Sequence, residues 1–98
     1  MPDAKILVID DEQSILDLVM AYLRREGYEV HTAMDGPGGL KAARAFKPDL
    51  IVLDIMLPGM DGLEVLTQLR RESDVYVIML TARSEETDKI VGLSVGAD

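Results

Sequence analysis

Polar residues with the potential for chemistry stand directly after short aliphatic runs of the chain. Asp10 and Asp11 end the first run, Asp54 ends the second, and Thr81 ends a third. If the carboxylates are gathered in one place, two charges about 5 Å apart repel by about 3 kcal/mol at an effective dielectric of 20. Such a cluster must bind a cation or take up a proton, and oxygen ligands without His or Cys suit Mg²⁺. These residue types therefore predict a magnesium site, provided that the fold brings them together.

Hydrophobic periodicity predicts strands that alternate with helices four times. Residues 6–9 and 50–53 are continuous aliphatic runs, which is typical of strands buried on both faces of a parallel sheet. A weaker strand is predicted at 28–33 and a fourth strand at 75–80. This order implies an α/β fold with a parallel sheet, right-handed crossovers and helices on both faces. Ligands of such sheets bind at the carboxyl ends of the strands, so the acidic residues converge if the first and third strands are neighbours.

The helices between these strands are predicted from apolar residues at helical spacing. The first should end at Gly27, and the second should begin near Pro37. A fourth helix is expected over about 85–95, held weakly by its composition. The first helix is predicted to bury the stripe Ile15, Leu18, Val19, Tyr22 and Leu23. The third is predicted to turn inward Leu63, Leu66 and Leu69.

Composition limits the classes of function. A chain of 98 residues with a net charge of -8 allows one domain and disfavours binding to nucleic acid or to an anionic membrane surface. Because cysteine is absent, disulfides, thiolate zinc sites and Cys nucleophiles are excluded. No aliphatic run is long enough to span a bilayer, and the first residues lack the apolar region of a signal peptide. The sequence therefore predicts a soluble, cytoplasmic protein.

Four segments of the chain together resemble the receiver domain of two-component response regulators. The segments are Asp10-Asp11-Glu12, residues 49–62 (DLIVLDIMLPGMDG), residues 79–83 (MLTAR) and Gly96-Ala97-Asp98. The resemblance covers essentially the whole chain, so residues 1–98 are expected to form one receiver domain. It implies a flavodoxin-like, doubly wound parallel sheet with strand order 2-1-3-4, which makes strands one and three neighbours.

The resemblance also assigns a role to each residue of the acidic site. It implies that Asp54 accepts a phosphoryl group from a histidine kinase, and that Thr81 donates a hydrogen bond to this group and repositions the last helix, which contacts an output partner. Asp10, Asp11, Asp54 and the backbone carbonyl of Met56 would hold Mg²⁺, with Mn²⁺ as a substitute. On this interpretation the chain is a phosphoacceptor domain and not an enzyme, at most dephosphorylating itself slowly.

The sequence departs from the family at its end. Receiver domains continue with a fifth strand, which carries a Lys that contacts the phosphoryl group, and with a fifth helix; this sequence stops at Asp98. Lys5 opens the first strand, at the wrong end to replace that Lys, and Arg83 is a weak substitute. We therefore expect lowered stability, and either self-association or strand exchange at the exposed edge of strand four. Residues 82–98 look most like regulators of the OmpR type, which carry a winged-helix DNA-binding domain, so a parent protein would be a transcriptional regulator.

Two other functions stay open. A receiver-like interaction module that is not phosphorylated would account for the missing Lys. A phosphohydrolase with an aspartyl nucleophile would usually carry a second Asp two residues after the first, where this chain has Met56. The single histidine, His31, lies on the weaker second strand and is predicted to be structural or solvated.

Overall fold

The computed structural model of the chain describes residues 4–80. The elements in chain order are β1 (Lys5–Ile9), α1 (Gln13–Arg25), β2 (Glu29–Ala33), α2 (Gly36–Phe46), β3 (Leu50–Asp54), α3 (Gly62–Glu72) and β4 (Tyr76–Leu80). All strand pairs are parallel and the sheet order is β2-β1-β3-β4, so the predicted fold class and strand order are confirmed. Among residues 4–80, no helix has the length and hydropathy that crossing a membrane requires. Thr81 and the helix predicted over 85–95 lie outside the described residues.

The core is divided by the central strands into two layers. Every residue from Ile6 to Ile9 in β1 is buried, as expected for a strand that is covered on both faces. On one face, α1 packs Leu16 against Ile6 and Val8. On the other face, α2 and α3 pack against the alternate residues of β1, β3 and β4, including Leu7. Both faces are covered along β1, whereas in β3 the residues on the α1 face, Leu50 and Val52, are partly buried.

The buried stripe of α1 differs from the predicted one. Leu18 and Tyr22 were predicted to face inward, yet they are 68% and 62% exposed. Leu16 is buried instead, and Val19 and Leu23 pack partly beside it. The helix carries two overlapping apolar stripes at helical spacing, and only the one centred on Leu16 faces the sheet. Periodicity indicated a helix here but could not choose between the two stripes.

The inward face of α3 also differs from the prediction. Leu63 was expected to point inward but is 55% exposed, whereas Val65 and Leu69 are buried. The reason lies at the start of the helix, where the backbone N–H of Gly62 donates to the carbonyl of Ile55 at 2.8 Å. This contact turns Gly62 toward the end of β3, so the residues one and two turns later face the sheet and Leu63 does not.

Helix ends follow the sequence signals closely. Gly27 adopts φ 98 after α1, in the left-handed region that favours glycine. Asp35 caps α2 by accepting a hydrogen bond from the N–H of Gly38 at 2.7 Å. Asp61 and Glu64 form a capping box at the start of α3, each side chain accepting from the other residue's backbone N–H. The caps define where α2 and α3 begin, and so they shape the loops beside the acidic edge.

Candidate metal centre at the carboxyl ends of β1 and β3

The three predicted carboxylates come together at one edge of the sheet. Asp10, Asp11 and Asp54 each offer one carboxylate oxygen, and these oxygens lie within 4.8 Å of one another. The cause is the strand register: β1 and β3 are adjacent and parallel, and Ile9 lies opposite Leu53. The residues that follow, Asp10 and Asp54, therefore leave the sheet side by side.

Backbone amides orient two of these carboxylates in the same way. Oδ1 of Asp10 accepts a hydrogen bond from the N–H of Glu12 at 2.9 Å. Oδ1 of Asp54 accepts one from the N–H of Met56 at 3.1 Å. Both side chains are buried, with 7% and 5% of their surface exposed. Each of these hydrogen bonds fixes the direction of a buried carboxylate toward the cluster.

Asp11 is the third carboxylate of the cluster, and one of its oxygens is buried without a hydrogen-bond donor in the described part of the chain. Its Oδ1 atom is buried and has no hydrogen-bond partner among residues 4–80. A buried carboxylate oxygen without a donor is costly in free energy, and a cation can supply the missing partner. Since all three side chains offer oxygen and no His or Cys joins them in the described part of the cluster, the donor set fits a hard divalent ion such as Mg²⁺ or Mn²⁺.

The loop after β3 is anchored at its first peptide groups. The N–H of Ile55 donates to the carbonyl of Leu80 at 3.1 Å, and the carbonyl of Ile55 accepts from Gly62 at 2.8 Å. The side chain of Met56 extends outward and is 53% exposed. The role of its carbonyl as a metal ligand stays a prediction, while its N–H contacts Asp54 directly.

Sequence reasoning missed these backbone donors. The amides of Glu12 and Met56 hold the two buried carboxylates, yet neither residue type indicates such a role. A signal was present, because Asp side chains commonly hydrogen-bond the backbone N–H two residues on when a strand ends in a turn. Gly62 was also missed as a contact of the β3 end.

Lys5 and His31, which the sequence analysis did not place in the site, lie away from the acidic cluster. Lys5 is at the opposite edge of the sheet, where its backbone N–H donates to Oδ2 of Asp49 at 2.8 Å and its Nζ donates to the carbonyl of Phe46 at 3.3 Å. His31 stacks on the ring of Phe46 with the ring centroids 3.7 Å apart. Neither residue contributes to the acidic cluster, in agreement with the sequence analysis. Thr81 and Arg83 lie outside the described residues.

A cavity of about 350 Å³ lies at the far ends of α2 and α3. Arg44 and Glu72 form a two-point ion pair at its rim, with N···O distances of 2.9 and 2.8 Å. The hydrogen bond from Arg44, with a smaller contribution from its charge, lowers the pKa of Glu72. The cavity shares no lining residue with the acidic cluster, so the chemistry is assigned to the strand ends and not to this cavity.

Comparison with known proteins agrees with the fold. The family described as "Response regulator receiver domain" matches residues 6–98. The chain is 56% identical over 95 residues to the alkaline phosphatase synthesis transcriptional regulatory protein PhoP of Bacillus subtilis, and the match covers 96% of this chain and 40% of PhoP. The chain thus spans less than half the length of this curated relative.

Solved structures show the same likeness. The N-terminal domain of a response regulator receiver protein from Methanoculleus marisnigri is 36% identical with a TM-score of 0.81, covering 97% of this chain and 80% of that one. The chemotaxis protein CheY4 of Vibrio cholerae is 37% identical with a TM-score of 0.81, covering 97% of this chain and 82% of that one.

Proposed function

Because this chain belongs to the response regulator receiver domain family, we propose that Asp54 accepts a phosphoryl group from the phosphohistidine of a histidine kinase in a reaction that depends on Mg²⁺. The observation that carries the proposal is the convergence of three carboxylates within 4.8 Å, with Asp54 buried and oriented among them. A cluster of this kind is costly to the fold without a cation, which argues for a function.

Asp54 is the nucleophile in this proposal. One of its carboxylate oxygens attacks phosphorus, a new O–P bond forms, and the P–N bond to the donor imidazole breaks. The electron pair of the broken bond goes to the imidazole nitrogen, and an acyl phosphate remains on Asp54. The N–H of Met56 holds Oδ1 at 3.1 Å and so restricts the rotation of the carboxylate before attack.

The other acidic residues hold the ion. Asp10, Asp11, Asp54 and the backbone carbonyl of Met56 would bind Mg²⁺, or Mn²⁺ in its place. When bound, the ion offsets the repulsion between the incoming phosphoryl anion and the acidic site. The buried Oδ1 of Asp11 supports this assignment, because it needs a partner that residues 4–80 do not supply. Asp10 is held in place by the N–H of Glu12, which keeps its carboxylate directed at the cluster.

Signal output would follow from the phosphoryl group. Thr81 would donate its hydroxyl hydrogen bond to this group, and the segment after β4 would then shift and change the binding of an output domain or protein. A parent protein that regulates transcription from the cytoplasm is supported by the name of the Bacillus subtilis relative, of which the chain covers 40%. Self-association through the outer edge of β4 stays a prediction.

Intact mass spectrometry tests the proposal. The chain is incubated with a small acyl or amido phosphate and Mg²⁺, beside Asp54→Asn and a matched control, Asp74→Asn. Asp74 is an exposed residue before β4, at the opposite edge of the sheet from Asp54. We expect a phosphate-sized mass gain in the wild type and in Asp74→Asn, and none in Asp54→Asn or after removal of Mg²⁺.

The same experiment separates the other two candidate functions. A mass gain that persists in Asp54→Asn contradicts the assignment of the phosphoacceptor. If no adduct forms in the wild type under saturating donor and Mg²⁺, the chain is an interaction module that works without phosphorylation. If excess donor is turned over rapidly without a lasting adduct, the chain is a phosphohydrolase.

A further inference from the structure

We propose that Gly62, the first residue of α3, is a positioning residue for the phosphoacceptor site. It holds the peptide group that orients Asp54, and it can do so because it has no side chain. That Gly62 orients Asp54 is argued from the geometry at the end of β3. Its effect on phosphorylation rests on the proposed function.

One peptide group joins Gly62 to Asp54. The carbonyl of Ile55 and the N–H of Met56 belong to the same planar unit. The N–H of Gly62 donates to that carbonyl at 2.8 Å, and the N–H of Leu57 makes a longer bond to it at 3.2 Å. The N–H of the same unit donates to Oδ1 of Asp54 at 3.1 Å. The hydrogen bonds from Gly62 and to Asp54 therefore act on opposite ends of one rigid plane, and each strengthens the other by polarising the peptide.

The fit around Gly62 leaves no room for a side chain. A Cβ atom at this position would lie 2.5 Å from the carbonyl oxygen of Asp54 and 2.6 Å from Cα of Ile55. These are backbone atoms, and they cannot rotate away as the end of a long side chain can. A side chain at Gly62 must therefore separate the start of α3 from the end of β3.

That separation would act on the site in a defined way. The Ile55–Met56 peptide would tilt or retreat, so the N–H of Met56 would lose its alignment with Asp54. The carbonyl of Met56, which the proposed function assigns to the metal, would move with it. Altering a group that hydrogen-bonds to a metal ligand, without contacting the metal itself, typically changes metal affinity by about 10- to 100-fold. We expect Gly62→Ala to weaken Mg²⁺ binding within this range.

Gly59 offers a matched control in the same loop. It has φ 76, so Gly59→Ala also introduces backbone strain, yet a Cβ there would meet no atom within 4 Å. Gly59→Ala should lower stability through its own conformation and leave the Ile55–Met56 peptide in place. If Gly62 has a purely structural role, Gly62→Ala and Gly59→Ala should be equivalent in Mg²⁺ affinity and in the Met56 amide resonance.

The test is an NMR and kinetic comparison of the wild-type chain, Gly62→Ala and Gly59→Ala. We expect Gly62→Ala to shift the Met56 amide resonance, weaken Mg²⁺ binding and slow phosphorylation at saturating phosphodonor, while Gly59→Ala leaves all three at the wild-type value. Equal Mg²⁺ affinity and an unchanged Met56 amide in a folded Gly62→Ala would overturn the proposal.

If Gly62→Ala does not fold, the wild type decides the question. Scalar couplings across hydrogen bonds should then join the Gly62 amide to the Ile55 carbonyl and the Met56 amide to the Asp54 carboxylate, and the absence of either coupling contradicts the inference. A wild-type chain that takes up no phosphoryl group would refute the proposed function alone, because the Met56 resonance and the Mg²⁺ affinity still report on Gly62.

Discussion

Asp10 and Asp54 leave neighbouring parallel strands side by side, and each carboxylate accepts a hydrogen bond from the backbone N–H two residues further along the chain. The site thus repeats one local arrangement on two strands. The two amides restrict the rotation of both carboxylates and so hold their oxygens close together. The fold keeps an electrostatic strain at this edge that a cation or a substitution can remove.

Removal of one charge from the cluster should stabilise the metal-free protein. Asp11→Asn is expected to raise the free energy of unfolding by about 1 kcal/mol, because it ends the repulsion with its neighbours and supplies an N–H₂ donor. Urea unfolding followed by circular dichroism in the presence of a chelator measures this. Asp74→Asn, which removes an exposed charge elsewhere, should change stability little, and a destabilised Asp11→Asn would contradict the argument.

Mg²⁺ should stabilise the wild-type chain and lose most of this effect in Asp11→Asn. An ion that binds the folded state alone adds about 2.7 kcal/mol at 100 times its Kd. Thermal unfolding with increasing MgCl₂ should therefore show a rising Tm that a chelator reverses. NaCl at matched ionic strength is the control for screening, and an equal rise of Tm with NaCl would show that no specific ion site exists.

The two apolar stripes of α1 should differ sharply in their contribution to stability. Leu16 is 1% exposed and Leu18 is 68% exposed. We expect Leu16→Ala to cost about 3 kcal/mol, through lost burial and a cavity. Leu18→Ala should stay within about 0.5 kcal/mol of the wild type, as is usual for exposed positions. Urea unfolding of both variants checks this, and comparable losses would mean that the Leu18 face is covered in solution.

Much of the fold and of the acidic cluster could be predicted because the physical signals are local and strong. Continuous aliphatic runs before Asp10 and Asp54 indicate buried parallel strands, and Gly27 marks the end of α1. Which face of a helix is buried was harder to predict from the sequence. Leu18 and Leu63 match helical spacing, but the contact of Gly62 with the β3 end and the packing of Leu16 decide which stripe is buried.

The backbone hydrogen bonds of the site and the order of its strands could not be predicted from residue types or periodicity. Amide donors such as Met56 N–H are present in every residue except proline, so residue type alone does not reveal their role. The adjacency of β1 and β3 came from a family resemblance, since periodicity predicts strands but not their order in the sheet.

The start of α2 should depend on the cap that Asp35 provides. Asp35 accepts a hydrogen bond from the N–H of Gly38 at 2.7 Å, and the first turn holds glycines that favour the helix weakly. Asp35→Ala is expected to lower the free energy of unfolding by about 1 kcal/mol, whereas Asp35→Asn, which keeps an acceptor oxygen, should lower it less. Chemical unfolding of the two variants measures the difference. Equal losses would show that the cap contributes through charge and not through its hydrogen bond.

The ion pair between α2 and α3 should make stability depend on pH in the acidic range. The hydrogen bond from Arg44 lowers the pKa of Glu72 below its ordinary value of 4.5. A carboxyl group whose pKa is lower in the folded state contributes stability that is fully present above the unfolded value and is lost as pH falls through the folded value. Because both side chains are exposed, the effect should be small and sensitive to salt.

In urea unfolding, Glu72→Gln should therefore be less stable than the wild type at neutral pH and equal to it in strong acid. Arg44→Gln should reproduce this behaviour, and the double variant should lose no more than either single one. A difference between the wild type and Glu72→Gln that stays constant from neutral pH into strong acid would contradict the ion pair as its source.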